Sequence, residues 1–325
     1  MDMNSSSSNN ISGCSTGGVF TNFPIEWEIS KWIRCVELLL TVSLNIAVII
    51  LLSRIRKRSN LVFFVINLAF SDLSVGILHI LPLTVNHFTS TWALGSAICK
   101  LQFFLSNVSL YASTYLIVII GIDRFHSVFK PLSTVRQMRH YRLLMVLSPW
   151  TLGTLISIPV LYWTVLYPIC KRVICTPDLR GIRKVVLVSN AFLLLFIPAV
   201  LIFLCYGLIV FLLCQRLKGE KHSGFREQDL LRSTQTSKTF TKANRRSTII
   251  TFVVGITFIF CWMPSVLAGL LNLYGTIGYG GWFDILTALS PLNSVLNPII
   301  FLSFNHRMFK PSVSYKYSRT VETRA

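Results

Sequence analysis

The chain has 325 residues, of which 53% are hydrophobic and only 13% charged, and its mean hydropathy is +0.62. A soluble domain carries about 25% charged residues, so this composition excludes an ordinary water-facing surface. The formal charge of +19 would suit nucleic acid only if the basic residues covered a folded face, but they fill short gaps between apolar runs, which excludes that partner.

The chain opens "MDMNSSSSNNISGCSTGG", a polar, low-complexity stretch that predicts a disordered tail over 1–31. Asn4 and Asn10 begin N-S-S and N-I-S triplets and are glycosylation acceptors if this tail is extracellular. No basic stretch followed by an apolar run precedes the first long apolar segment, so that segment is expected to act as the insertion signal. Seven apolar runs follow, near 32–53, 61–83, 99–122, 143–166, 185–214, 248–273 and 282–302. Each reaches the roughly 20 residues that a helix needs to cross the hydrocarbon. Backbone groups in lipid need internal partners, and the alternation of a barrel strand is absent, so each run is read as a helix. The expectation is an all-α seven-transmembrane helix bundle over 32–310, followed by a tail over 311–325.

Charge sets the orientation. The gaps at 54–58, 124–142 and 216–246 and the tail at 307–324 hold 23 Lys and Arg, against 8 on the opposite side. The positive-inside rule then puts the N-terminus outside and the C-terminus in the cytoplasm, as in a multi-pass plasma-membrane protein. The basic stretch 238–246 faces inward, where it can meet anionic lipid headgroups or a protein partner.

Ionisable and amide groups inside spanning helices are functional hypotheses by default. Asp72 lies in the middle of the second run, and Asn45, Ser113, Asn293, Ser294 and Asn297 lie at matching depths in other runs. A carboxylate among hydroxyl and amide oxygens makes Asp72, Ser113, Asn293, Ser294 and Asn297 a candidate sodium site rather than a transition-metal site. The alternative is a carboxylate that glues helices by hydrogen bonds. Pro159, Pro198, Pro264 and Pro298 each remove a helical hydrogen bond, and Trp262 stands two residues before Pro264. His79 and His87 lack other ligands at metal spacing and read as polar lining. No zinc-protease, phosphate-loop or dinucleotide motif is present, so neither catalytic residues nor an organic cofactor are expected.

Between the fourth and fifth runs, "LYPIC" and "VICT" read as two short strands, because Val and Ile favour extended backbone. Lys171, Arg172, Arg180, Arg183 and Lys184 surround them, with Asp178 the acid in that loop. They can steer an acidic ligand, or simply face solvent.

Taken together, "LAFSDL", "TWALG" before Cys99, "DRF" at 123–125 before "KPL", Trp150, Pro198 with Tyr206, "CWMP" and "NSVLNPIIF" resemble the rhodopsin-like family of G protein-coupled receptors. The resemblance spans residues 33–310. It implies an extracellular ligand, a heterotrimeric G protein partner and a short amphipathic helix after the seventh span. It also implies that Asp123 restrains Arg124 at rest and that helix 6 swings about Pro264 to open a cavity beside Arg124 and Tyr206. Asn297, Pro298 and Phe301 belong to the same activation machinery. Three positions depart from the family pattern. Phe125 and Phe301 replace tyrosines, and "TKANRRS" lacks the glutamate that opposes the arginine from helix 6.

For the ligand, the resemblance points to His79, Phe103, Ser106 and Trp262. An amine receptor would carry aspartate at 106, and an opsin would carry a lysine within 282–302; neither is present. "YASTYLIVIIGIDRF" and "LSPLNSVLNPIIFLSF" are similar to the vasopressin/oxytocin and gonadotropin-releasing-hormone receptor group, so a peptide is the expected ligand. The alternatives are a small non-amine ligand and, further off, a transporter or channel. The family's outer disulfide joins Cys99 to the strand returning toward helix 5, which favours Cys175, with Cys170 as the alternative. Cys170 could then pair with Cys14 or Cys35.

Overall fold

A computed structural model describes residues 25–55, 60–89, 91–129, 139–169, 172–220, 227–276 and 281–305. Seven helical spans account for nearly all of them: α1 (Ile25–Ser53), α2 (Asn60–Thr89), α3 (Gly95–Phe129), α4 (Arg139–Trp163), α5 (beginning at Arg183), α6 (Glu227–Leu273) and α7 (Trp282–Phe304). Strands β1 (Thr164–Ile169) and β2 (Arg172–Pro177) lie between α4 and α5. The short helix expected after α7, Asn4, Asn10, Cys14 and Cys170 lie outside the described residues.

The start expected at residue 32 is corrected, because α1 already runs from Ile25. Glu26 and Glu28 stand in its first turn, where carboxylates meet the positive end of the helix dipole. Lys31 pairs with Glu28 at 2.5 Å one turn on. A hydropathy window discounts these charges, although they help the helix begin.

Two spans widen into π-helical turns, Gly76–Ile80 in α2 and Phe192–Phe196 in α5. Both have the same cause. Pro82 and Pro198 follow, and a proline ring collides with the carbonyl four residues earlier, here on Leu78 and Leu194. Both carbonyls lie inside the widened turns, which relieve the clash. The seventh run, expected to be continuous, is two helices, Trp282–Ala288 and Leu292–Asn305. Pro291 has no N–H to give and disfavours helical backbone at Ser290, so the chain turns tightly there. The Leu292 and Asn293 amides donate to the Leu289 and Ser290 carbonyls at 3.3 and 3.4 Å.

α3 runs through the middle of the bundle, against α2, α4, α5 and α6. Glycine permits two of the close approaches. A Cβ on Gly153 of α4 would stand 3.1 Å from both Tyr111 Cβ and the Val108 carbonyl of α3. One on Gly255 of α6 would stand 2.8 Å from Ile202 Cγ2 of α5. The apolar core gathers Phe64, Leu116, Ile209, Phe258, Trp262 and Phe301.

At the outer end, β1 and β2 pair antiparallel with Leu166 opposite Cys175, as the strand reading anticipated. Cys175 is bonded to Cys99 at the start of α3, which rules out a Cys99–Cys170 bridge. The Trp92 amide donates to the Val173 carbonyl at 2.6 Å, so the hairpin is tied to the α2–α3 turn as well. Cys35 is a free thiol, so the suggested Cys170–Cys35 bridge is not formed.

Candidate functional site

Asp72 is fully buried, and three helices converge on it. Its Oδ1 accepts from Ser113 Oγ of α3 at 2.6 Å and from Ser294 Oγ of α7 at 2.9 Å, and its Oδ2 accepts from Asn297 Nδ2 at 2.9 Å. Asn45 Nδ2 of α1 donates to the Ser294 carbonyl at 2.9 Å, which makes a fourth helix part of the network. Each donor satisfies a lone pair that burial would otherwise leave bare. Ser113, Ser294 and Asn293 border a small cavity beside Asp72, which Ser290, Pro291 and Trp262 also line. The Oδ1 atoms of Asn45, Asn293 and Asn297 are buried without a donor. Oxygen acceptors around a carboxylate suit a small hard cation. No group of three His, Cys, Asp or Glu gathers among the described residues.

The inner site forms where α3 meets α6. Asp123 and Arg124, 1% and 5% exposed, make a hydrogen-bonded ion pair. Arg124 Nη1 also donates to Ser247 Oγ of α6 at 2.7 Å. Ser247 is the last residue of "TKANRRS", the segment that lacks a carboxylate, and a neutral hydroxyl takes that place. Sequence reasoning missed Ser247, because a serine beside two arginines carries no signal. Tyr206 is buried on α5 and packs edge-on against Phe252 of α6 with ring centroids 5.2 Å apart. Phe301 lies in the same apolar core. Trp262 packs on Phe258 at 6.3 Å, while Pro264 and Pro298 are interior to their helices.

In the outer half, His79 Nδ1 and Ser106 Oγ share a hydrogen bond of 2.7 Å, so two of the pocket candidates meet directly. Phe103 is half-buried on α3, one turn toward the outside. His87 packs at a tilt against Trp27 of α1 with ring centroids 4.3 Å apart, a packing role. The loop's positive charge is partly neutralised. Asp178 holds Arg180 through two carboxylate oxygens, and Arg183 donates to Asn272 of α6. Arg34 and Glu37, which the sequence reading did not single out, are 5% and 2% exposed on the inner face of α1. Their spacing of three inside an apolar run was the available signal.

Residues 44–301 match the family model described as 7 transmembrane receptor (rhodopsin family). The chain belongs to that family: it is a G protein-coupled receptor, a multi-pass protein of the plasma membrane, and the family is one of receptors rather than enzymes. The neuropeptide S receptor of Homo sapiens is 27% identical over 316 residues, covering 93% of this chain and 82% of the relative. The vasopressin V1b receptor of Mus musculus is 25% identical over 317 residues, covering 89% and 75%. The mesotocin receptor of Rhinella marina is 27% identical over 267 residues, covering 78% and 67%.

Proposed function

We propose that this receptor binds an extracellular peptide and in response activates a heterotrimeric G protein through movement of α6. The observation that carries the coupling step is the hold on Arg124, which joins Asp123 of its own helix to Ser247 of α6. Separating α6 from α3 breaks the Ser247 contact and frees one arm of a guanidinium at a low-dielectric edge, where a polar partner is worth more than in water. Tyr206 lies beside α6 and gives the freed arginine a surface to pack on. Pro264, between Trp262 and the outer end of α6, is where the helix gives way.

A peptide is favoured because the relatives above are named for neuropeptide S, vasopressin and mesotocin, and because Ser106 leaves an amine without its carboxylate. The Asp72 cluster is further proposed to hold sodium, with Ser113, Asn293, Ser294 and Asn297 supplying oxygens. The ion would balance the Asp72 charge in the closed bundle. The coupling is tested by Arg124→Ala, which is expected to abolish nucleotide exchange on the G protein while surface expression is retained. The ligand is tested by screening a peptide panel against cells carrying the receptor, with calcium release and cyclic AMP as readouts. Activation by small non-amine compounds alone overturns the peptide reading.

A further inference from the structure

The outer hairpin has two edges, and one of them is closed. On β2, the Val173 carbonyl accepts from the Trp92 amide at 2.6 Å, and the Val173 amide donates to Thr91 Oγ1 at 3.2 Å. Both groups therefore point away from β1. Val173 and Pro168 stand opposite each other, so they are one of the pairs that exchange no hydrogen bonds. Such pairs alternate along an antiparallel ladder, which makes Leu166 and Cys175 the next one. The Leu166 amide and carbonyl and the Pro168 carbonyl thus point outward from β1. Among the described residues no backbone group bonds to them. Pro168 has no N–H, so this edge offers one donor and two acceptors. Unpaired backbone groups in a row are a template for another strand.

The surroundings of the edge specify its occupant. Tyr167 is 46% exposed and Pro168 is exposed beside it. At the turn, Arg172 is exposed and makes no ion pair among the described residues, whereas Asp178 takes up Arg180 and Asn272 takes up Arg183. We propose that β1 is a docking edge for the peptide ligand, which adds to the hairpin as a third strand and brings an acidic side chain to Arg172. This rests on the peptide reading above and adds how the peptide is held. The ligand residue opposite Leu166 turns its side chain to the face of Cys175, toward α3, and its two neighbours turn theirs to the face of Tyr167. The main chain supplies the hold, and alternate side chains supply the selection.

The test uses the full-length receptor in lipid nanodiscs, with a phage-displayed library of random dodecapeptides as the probe. Depleted on Leu166→Pro receptor and then selected on the unaltered one, the library is expected to yield peptides that bind Leu166→Pro about tenfold more weakly and Leu166→Val equally well. Proline already stands at the equivalent outward position 168, so the hairpin tolerates it, and an intact Cys99–Cys175 bridge verifies this. On the unaltered receptor, N-methylation along a recovered peptide should weaken binding several-fold at every second residue, and Arg172→Glu should weaken it as well. Recovery of no such peptide, or sensitivity to N-methylation without that alternation, overturns the proposal. So does slow hydrogen exchange at the Leu166 amide before any peptide is added, because the chain's own tail or a second copy then fills the edge. Activation by small compounds alone overturns the peptide reading itself. Panel peptides that activate Leu166→Pro receptor at unaltered potency overturn only the docking edge.

Discussion

Ser247 restrains Arg124 with a neutral oxygen, and the consequence is energetic. A hydrogen bond to a charged group contributes about 1.5 kcal/mol or more, about a factor of ten in an equilibrium. Ser247→Ala is therefore expected to raise basal nucleotide exchange by up to about tenfold. Ser247→Glu supplies a carboxylate and should lower it below the unaltered level, as measured in membranes without ligand. At Asp72, the Asn substitution removes charge and keeps shape, so any sodium-dependent rise in thermal stability of the purified receptor should vanish. A sodium response that survives Asp72→Asn sinks the cation reading. In the outer loop, hydrogen bonds from Arg180 hold the Asp178 carboxyl down at about 2, below its ordinary 3.8. A depressed carboxyl stabilises the fold above its unfolded value, and that contribution is lost as pH falls through about 2. The Asp178 carboxyl carbon should show no titration step between pH 4 and pH 8 by NMR.

At the scale of elements, α5 and α6 approach closely only because Gly255 has no side chain toward Ile202. Gly255→Val forces the packed Ile202 side chain to shift, and overpacking of this kind costs about 1–3 kcal/mol. A lower unfolding temperature in detergent is the expected result, whereas an unchanged one would mean that the two helices are already apart. The hairpin is held by Cys99–Cys175, whose ends are 76 residues apart in sequence. Removing such a bridge typically costs about 2–5 kcal/mol, so Cys175→Ser should sharply reduce surface expression. The twin π turns show a shared local rule, since each relieves a proline clash one turn back. Pro291 acts differently, because it falls where α7 changes direction and the chain breaks there instead.

For the whole molecule, the decisive quantity is the charge difference between the two sides, 23 basic residues against 8. That asymmetry commits the loops to their sides during insertion. It also places the Arg124 site at the cytoplasmic face and the hairpin outside. An engineered glycosylation acceptor in the 172–184 loop is expected to be modified, and one in the 216–226 gap is not. The reverse pattern would invert the receptor and with it every functional assignment made for the two faces.

The spans, their orientation, the strand pair and the Asp72 cluster were all legible in the chain. Hydropathy over twenty residues and net charge in a gap are local sums that no tertiary contact can reverse, and a carboxylate in a lipid-spanning run must find polar partners. What the chain could not show was which faces meet. Ser247 becomes the partner of Arg124 only when two helices 123 positions apart align their turns. Arg34 and Glu37 drew no reading from the sequence, yet packing buries both. Pro291 broke the last span, and Ser290 and Asn293 on either side of it line the cavity beside Asp72. Burial in a bundle depends on helix rotation and contact, and side-chain chemistry alone leaves that rotation open.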